Sequence, residues 1–195
     1  MLGAILLAAG NSSRFGENKL LYELDGRPMY SYVLEHFRSL LREQRIDILI
    51  VVTQYDRVQS QIEAAEGEVS VVRNEHPELG ISHSIYLGLQ KLAEVLPEAE
   101  GCVFAVADQP YLTVESLEGL VDTWEESDRG IAACACGDKI GNPVLFSRKY
   151  FEQLGGLTGD KGGKQIVKRN LEDVVLHQIP ARELEDIDVK AVLEK

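Results

Sequence analysis

The chain has 195 residues, 45% hydrophobic and 27% charged, a balance typical of one globular domain with a substantial core and not of a disordered chain. Its formal net charge of -12 argues against non-specific binding to nucleic acid or to an anionic membrane, because both need a basic face. The sequence has no run of about 20 apolar residues and no signal-peptide pattern at its N-terminus. We therefore expect a cytoplasmic protein with a single domain over residues 1–195 that binds neither nucleic acid nor membrane.

The first predicted element is a buried strand at about residues 3–8, which leads directly into a loop of small and cationic residues. This loop contains Ala8, Ala9, Gly10, Asn11, Ser12, Ser13, Arg14 and, a few residues later, Lys19. Small side chains let backbone N–H groups approach an anion, Arg14 can bind two phosphate oxygens, and Lys19 supplies a compact positive charge. The pattern indicates a triphosphate-binding loop, although an ordinary strand-to-helix loop accounts for the same residues.

Strands and amphipathic helices then alternate along the chain. Pro28 can open a helix that continues to about residue 41, and a strand at 46–52, a helix at 57–65 and a strand at 69–72 follow. This alternation predicts an α/β fold with a mostly parallel central sheet covered by helices on both faces.

A polar loop beginning at Asn74 enters the next predicted helix, which continues to about residue 96. Gly80, Ser82 and Ser84 lie where a ligand could meet backbone N–H groups and hydroxyls at the start of that helix. Plain capping of the helix by one serine explains the same residues. The residues alone leave both interpretations open.

A strongly apolar strand at 101–107 ends in Asp108. A carboxylate at the carboxyl end of a central parallel strand lies where open α/β sheets bind ligands. Since Mg²⁺ prefers carboxylate and phosphate oxygens, Asp108 beside a phosphate loop is a candidate magnesium ligand. An Asx turn before Pro110 is the structural alternative. Thr113 is predicted to cap the helix that follows.

The last third of the chain carries two further candidate segments. Asn142 and Pro143 form a turn between predicted strands, and the glycine-rich loop at 157–164 contains Gly159, Asp160 and Gly162. That loop is suited to closing over an anionic group, although a solvated surface loop has the same composition.

Acidic and apolar residues alternate at 185–189, which in a strand would place Asp186 and Asp188 on one face. The charged run at 182–186 is otherwise predicted to be solvated. Cys102, Cys134 and Cys136 are odd in number, which favours reduced, structural thiols, and the last two are expected on the same side of a strand.

Several of these segments together resemble one family. The stretch Leu7-Ala8-Ala9-Gly10-x-Ser12-x-Arg14-Phe15-Gly16-x-x-Lys19 resembles the signature Leu-Ala-Ala-Gly-x-Ser-x-Arg-Met-Gly-x-x-Lys of nucleotidyltransferases. The segment around Asp108 resembles their magnesium-binding element, and those around Asn142 and Asp160 resemble pterin-side segments. The chain thus resembles the molybdenum cofactor cytidylyltransferases of the MobA-like nucleotidyltransferase superfamily.

The resemblance implies a three-layer, Rossmann-like nucleotidyltransferase fold, with the nucleotide bound by residues 1–113 and the acceptor by residues 130–195. It implies transfer of CMP from CTP to the phosphate of molybdopterin, with release of pyrophosphate, Mg²⁺ as cofactor and a molybdenum hydroxylase as recipient of the product. A guanylyltransferase acting on the same cofactor is one alternative. A non-catalytic carrier or maturation protein for the molybdenum cofactor is another.

The residues that we assign to this activity fall into four groups. The catalytic residues are Arg14, Lys19 and Asp108. The nucleotide-binding residues are Ala8, Ala9, Gly10, Asn11, Ser12, Ser13, Arg14, Lys19, Asn74, Gly80, Ser82 and Ser84. The metal ligands are Asp108, Asp186 and Asp188. The acceptor-binding residues are Asn142, Pro143, Gly159, Asp160 and Gly162.

Overall fold

A computed structural model describes residues 1–10, 15, 18–65 and 69–187. Its strands are β1 (Leu2–Ala8), β2 (Glu23–Leu24), β3 (Arg27–Pro28), β4 (Ile48–Thr53), β5 (Val69–Arg73), β6 (Gly101–Val106), β7 (Ile131–Cys136), β8 (Lys139–Ser147) and β9 (Val174–Gln178). Its α-helices are α1 (Met29–Arg42), α2 (Asp56–Ala64), α3 (Ile81–Val95), α4 (Val114–Glu125), α5 (Phe151–Gly155) and α6 (Lys164–Arg169). Short 3₁₀ turns, including Lys19–Leu21 and Ala181–Leu184, connect several of them.

Seven strands form one sheet in the order β5-β4-β1-β6-β8-β7-β9. The paired strands run parallel except for β8, which is antiparallel to both β6 and β7. In the centre, Ile5 of β1 is in register with Ile50 of β4 on one side and Phe104 of β6 on the other. The predicted, mostly parallel central sheet is therefore confirmed.

Period-two alternation in the central strands produces the three layers. Leu2 and Leu6 of β1 pack into one core cluster with residues of α1, α2 and α4. Ile5 and Leu7 point the other way and pack with residues of α3, α5 and α6. Strands that are buried on both faces need an apolar residue at nearly every position. This explains the nearly unbroken hydrophobic runs that form the central strands.

The order of the strands places a crevice beside β1. From β1 the chain moves outward to β4 and β5, and then returns to add β6 on the opposite side of β1. Ligands of open α/β sheets bind beyond the carboxyl ends of the strands at such a change of direction. Gly10 and Asp108 follow the ends of β1 and β6 and so lie at this crevice.

Local predictions had mixed outcomes. The Thr113 cap of α4 is confirmed, since its side chain accepts a hydrogen bond from the Ser116 N–H. Cys134 and Cys136 pack in the same core cluster, as predicted. Two expectations at the C-terminal end are wrong: residues 185–187 form no strand, and Glu183 is buried rather than solvated.

The burial of Glu183 depends on its contact with Thr113, which is distant in the sequence. Its Oε2 accepts hydrogen bonds from the Thr113 backbone N–H at 3.0 Å and from the Thr113 hydroxyl at 2.9 Å. A buried carboxylate needs such partners, because leaving it unpaired would be costly. In the part of the chain that the structure describes, no helix is long and apolar enough to cross a membrane.

Candidate functional site

Lys19 and Asp108 are 89 positions apart in the sequence and form an ion pair at the end of β6. Lys19 Nζ donates to Asp108 Oδ2 at 2.5 Å, and the two side chains are 9% and 19% exposed. Asn18 stabilises the short turn that carries Lys19 by accepting a hydrogen bond from the Leu20 N–H at 3.1 Å. The fold therefore joins the cation of the predicted phosphate loop to the predicted metal carboxylate, as the assignment of both to one site requires.

A first cavity of about 430 Å³ opens over this pair. The residues that line it are Leu7, Ala9, Gly10, Lys19, Leu20, Pro77, Gly80, Ile81, Ser84, Val106, Ala107, Asp108 and Asp160. They come from the ends of β1 and β6, the start of α3 and the loop before α6. The first cavity thus contains predicted nucleotide-binding residues from three separate segments.

The start of the phosphate loop is held against the end of β4. The carbonyl oxygens of residues 8–10 accept hydrogen bonds from Thr53 Oγ1 at 3.0 Å, Gln54 Nε2 at 2.8 Å and Tyr55 OH at 2.7 Å. Sequence reasoning missed these three supporting side chains, because nothing in the local pattern indicates which strand lies beside β1. Their effect is to fix the backbone at the mouth of the first cavity.

The start of α3 behaves differently at its two serines. Ser84 lines the first cavity and accepts a hydrogen bond from Asn74 Nδ2 at 2.9 Å. Ser82 lies outside this cavity, and its hydroxyl donates weakly to the Leu79 carbonyl at 3.4 Å. Neither serine caps the helix, because Gly80 occupies the N-cap position. Ser84 is thus placed to meet a ligand. Asn74 does not line the cavity but holds the Ser84 hydroxyl by its hydrogen bond.

The glycine-rich loop packs directly on the start of α3. The Gly159 carbonyl accepts a hydrogen bond from the Ser82 N–H at 3.2 Å, and Asp160 lines the first cavity. A Cβ atom added at Gly80 would lie 2.5 Å from the Gly159 carbonyl group and 2.7 Å from Asp160 Oδ1. The fold therefore brings Gly159 and Asp160 beside the nucleotide-side residues, while their predicted acceptor role stays a prediction.

A second cavity, of about 560 Å³ and larger than the first, is lined by Gln109, the residue after Asp108. The residues that line it are Gln109, Lys139, Ile140, Gly141, Asn142, Val144, Lys164, Val167, Leu184, Glu185 and Asp186. The predicted acceptor residue Asn142 and the predicted metal ligand Asp186 both belong to it. Asp108 lines the first cavity and the next residue, Gln109, lines the second, so the segment after β6 contributes a residue to each cavity.

A small apolar cluster holds the C-terminal segment beside the site. Phe15, at the usual methionine position of the signature, is 5% exposed and packs with Met29 and Ile187. The Ile187 N–H also donates to the Asp108 carbonyl at 2.9 Å. These contacts bring Asp186 to the neighbourhood of Asp108 without any strand.

Five assigned residues lie outside the described residues: Asn11, Ser12, Ser13, Arg14 and Asp188. Their assignments stay predictions. Gln109, Lys139 and Lys164 line the second cavity but were missed as site residues. Only the position of Gln109 directly after Asp108 could have pointed to it from the sequence.

The residues present fit a divalent cation only if a bound ligand contributes oxygens. Among the described residues there is no group of three or more histidine, cysteine, aspartate or glutamate side chains that could hold a metal. Asp108 offers a carboxylate, one oxygen of which binds Lys19. Mg²⁺ keeps several waters and commonly uses one or two carboxylates with substrate phosphates, so this sparse donor set suits a metal that arrives with a phosphate ligand.

The two buried cysteines, Cys102 and Cys134, are unsuited to nucleophilic chemistry. Burial raises the pKa of the Cys102 thiol well above its usual range. Burial also raises the pKa of Cys134 to about 12, and the nearby Glu183 carboxylate adds to the effect. Since the thiolate is the nucleophile, both side chains stay protonated at neutral pH and serve the core.

Comparison with known proteins adds an independent line of evidence. Residues 4–174 match the family model described as the MobA-like NTP transferase domain. The chain is 30% identical over 193 residues to the purine catabolism protein PucB of Bacillus subtilis, covering 94% of this chain and 90% of that protein.

Solved structures agree with this match. The crystal structure of Rv0371c from Mycobacterium tuberculosis superposes with a TM-score of 0.78 at 26% identity, covering 100% of this chain and 99% of that one. A manganese complex of the same protein gives a TM-score of 0.73, also at 26% identity, over 91% and 88% of the two chains.

Proposed function

This chain belongs to the MobA-like NTP transferase family and is a nucleotidyltransferase of that kind; we propose that it transfers CMP from CTP to the phosphate of molybdopterin in the molybdenum cofactor, releasing pyrophosphate. The acceptor phosphate oxygen attacks the α-phosphorus in line, a new P–O–P linkage forms, and the bond to the leaving pyrophosphate breaks. No covalent enzyme intermediate is needed, because the acceptor is itself an anionic nucleophile. The protein positions the two substrates and neutralises charge.

The observation that carries this proposal is that Asp108 lines one cavity and the next residue, Gln109, lines a second. A two-substrate transfer needs a place for each substrate and a common boundary where the reacting atoms meet. The first cavity has the backbone of the phosphate loop, Lys19 and the start of α3, which suit a triphosphate. The second is larger and supports an assignment to the acceptor.

Lys19 has the most direct role in handling the triphosphate. It lines the first cavity and its ammonium group is held by Asp108, so it is positioned before substrate binds. A positive charge fixed at this place stabilises negative charge that develops on the leaving pyrophosphate. Arg14, from the same loop, would add a bidentate phosphate contact.

Asp108 would hold the divalent metal, with Asp186 or Asp188 as the second carboxylate. The metal would supply neutralisation of the triphosphate charge, and the manganese complex of the M. tuberculosis neighbour supports a divalent cation in this fold. We propose Mg²⁺ as that cation. Asp186 lines the second cavity, on the proposed acceptor side.

The B. subtilis relative supports the choice of acceptor and recipient. That protein is named for purine catabolism, and the cytosine dinucleotide form of the cofactor serves hydroxylases of the xanthine dehydrogenase type. We propose such a molybdenum hydroxylase as recipient of the product. A guanylyltransferase or a non-catalytic cofactor carrier remains the alternative that an assay must distinguish.

Pyrophosphate release is the decisive measurement. The purified chain is incubated with CTP or GTP, with molybdenum-loaded molybdopterin, and with Mg²⁺ or Mn²⁺ after treatment with EDTA. We expect release with CTP and a divalent metal, and much slower release with GTP. The variant Asp108→Asn should lower the rate on the order of 10²-fold or more, while Asp138→Asn, at an exposed residue in the turn between β7 and β8, serves as the matched control.

The outcomes separate the alternatives. Faster release with GTP would make the chain a guanylyltransferase. Binding of the cofactor without pyrophosphate release from either nucleotide would identify a carrier. Unchanged turnover in Asp108→Asn would remove the metal assignment, whichever nucleotide is used.

A further inference from the structure

Gln109 has a buried carboxamide that the fold does not use. The residue is 1% exposed, and its Oε1 atom has no hydrogen-bond partner. Buried polar atoms are nearly always paired in folded proteins, and an unpaired one costs stability. Folding alone therefore does not explain a glutamine at this position.

The location of Gln109 sets it apart from other unpaired groups. Within the described part of the chain, buried side-chain atoms without a hydrogen bond also occur at Arg38, Arg73, Trp124 and Ser147, although Arg73 Nη1 forms an ion pair with Asp56 Oδ1 at 2.9 Å. None of these four residues lines the first or the second cavity, whereas Gln109 lines the second. Gln109 therefore combines an unpaired buried oxygen with a position in the lining of the cavity that we assign to the acceptor.

The chemistry of this oxygen limits what it can bind. An amide oxygen only accepts hydrogen bonds, so its partner must carry an N–H or O–H group. Since the amide is neutral, it suits a neutral donor such as a ring N–H, while the exposed Lys139 and Lys164 at the same cavity suit anionic groups. A phosphorylated heterocycle with ring N–H groups matches both features.

The geometry points to Gln109 as a specificity-determining residue whose Oε1 accepts a hydrogen bond from the N–H edge of the pterin ring of the acceptor. This inference rests on the proposed function, because that function places a pterin in the second cavity. Gln109 follows Asp108 directly, at a Cα separation of about 3.8 Å. A pterin bound to Gln109 is therefore positioned relative to the carboxylate at which the phosphoryl chemistry occurs.

Equilibrium binding of simple pteridines tests this inference without any turnover. The probes are pterin, which has ring and amino N–H groups, and 1,3-dimethyllumazine, whose ring nitrogens lack them. Binding of each is followed by its fluorescence, with the wild-type chain and with Gln109→Met. Gln153→Met, at an exposed position of α5, is the matched control.

We expect the wild-type chain to bind pterin more tightly than the dimethylated analogue. Gln109→Met should weaken pterin binding about tenfold, the equivalent of one hydrogen bond, and leave the analogue nearly unaffected. The ratio of the two affinities should therefore fall toward one. Gln109→Met should also unfold at an equal or higher urea concentration, because it removes an unpaired buried amide.

If Gln109→Met keeps the full ratio of the two affinities, shape alone discriminates between pterin and its dimethylated analogue. That result would overturn the inference. A lower urea midpoint with an unchanged ratio would assign Gln109 to folding and overturn it as well. So would failure of the wild-type chain to bind pterin. Pyrophosphate release distinguishes these failures from failure of the proposed function, since the transferase can be active without this contact, and a carrier can show the contact without releasing pyrophosphate.

Discussion

Replacing Gly80 by alanine should displace the glycine-rich loop from the first cavity. Gly80 has a φ of +80°, a left-handed conformation that costs a residue with a Cβ about 1–2 kcal/mol. The added Cβ would also lie 2.5 Å from the carbonyl carbon and oxygen of Gly159, where ordinary contact begins near 3.4 Å. Relieving such an overlap typically costs about 1–3 kcal/mol.

The two costs have different consequences. The conformational cost lowers only the free energy of unfolding. The collision also pushes residues 159–160 away from α3. Since Asp160 lines the first cavity, the displacement alters the site as well as the stability. We expect Gly80→Ala to lose about 2–5 kcal/mol of unfolding free energy, and to lower CTP-dependent pyrophosphate release on the order of tenfold to a hundredfold.

Gly137 provides the matched control. Its φ is +57°, and among the described residues nothing lies within 4 Å of a Cβ added there. Gly137→Ala in the turn between β7 and β8 should therefore lose only about 1–2 kcal/mol and keep its activity. The assays are urea unfolding and initial rates of pyrophosphate release. Equal losses of stability and of activity in the two variants would refute the collision argument.

Three further predictions follow from particular contacts. Lys19→Met should weaken CTP binding, because it removes the fixed cation beside the triphosphate. Calorimetry measures the affinity. Glu183→Ala should lower the unfolding free energy by about 2 kcal/mol, because it leaves the Thr113 N–H unpaired. The pKa of Asp173 is raised by burial but lowered more by hydrogen bonds from its neighbours, to a net value of about 2. That shift contributes about 2 kcal/mol, which is present above pH 4 and is lost as pH falls toward 2.

Each of these has its own check. If Lys19→Met binds CTP as tightly as the wild-type chain does, the lysine serves only the fold. Thr113→Val should share part of the loss of Glu183→Ala, and fully additive losses in the double variant would argue against their contact. Urea midpoints measured between pH 2 and 5 should depend less on pH in Asp173→Asn, and parallel curves would contradict the assigned role.

The alternation of strands and helices could be predicted from the sequence because it rests on local periodicity. The runs that form β1, β4 and β6 are apolar at nearly every position, and this pattern is sufficient to predict strands buried on both faces. Asp108 could be selected because it directly follows such a strand. The Thr113 cap was predictable for the same reason, since a cap depends on a few neighbouring residues.

The composition of the two cavities was decided by tertiary structure. The ion pair of Lys19 and Asp108 depends on β1 and β6 being neighbours, and strand order is a global property that local periodicity does not encode. Asp160 lies by the first cavity because its loop packs on Gly80, far away in the sequence. Glu183 is buried because the chain returns to Thr113.

Local sequence was thus sufficient to predict the main strands and helices, the candidate phosphate loop and the carboxylate at the end of a strand, because each prediction depends on residues that are close together in the chain. Tertiary structure alone placed Asp108 in the lining of one cavity and Gln109 in the lining of another. It also exposed the unpaired amide of Gln109, since whether a buried polar atom finds a partner depends on every segment that packs around it.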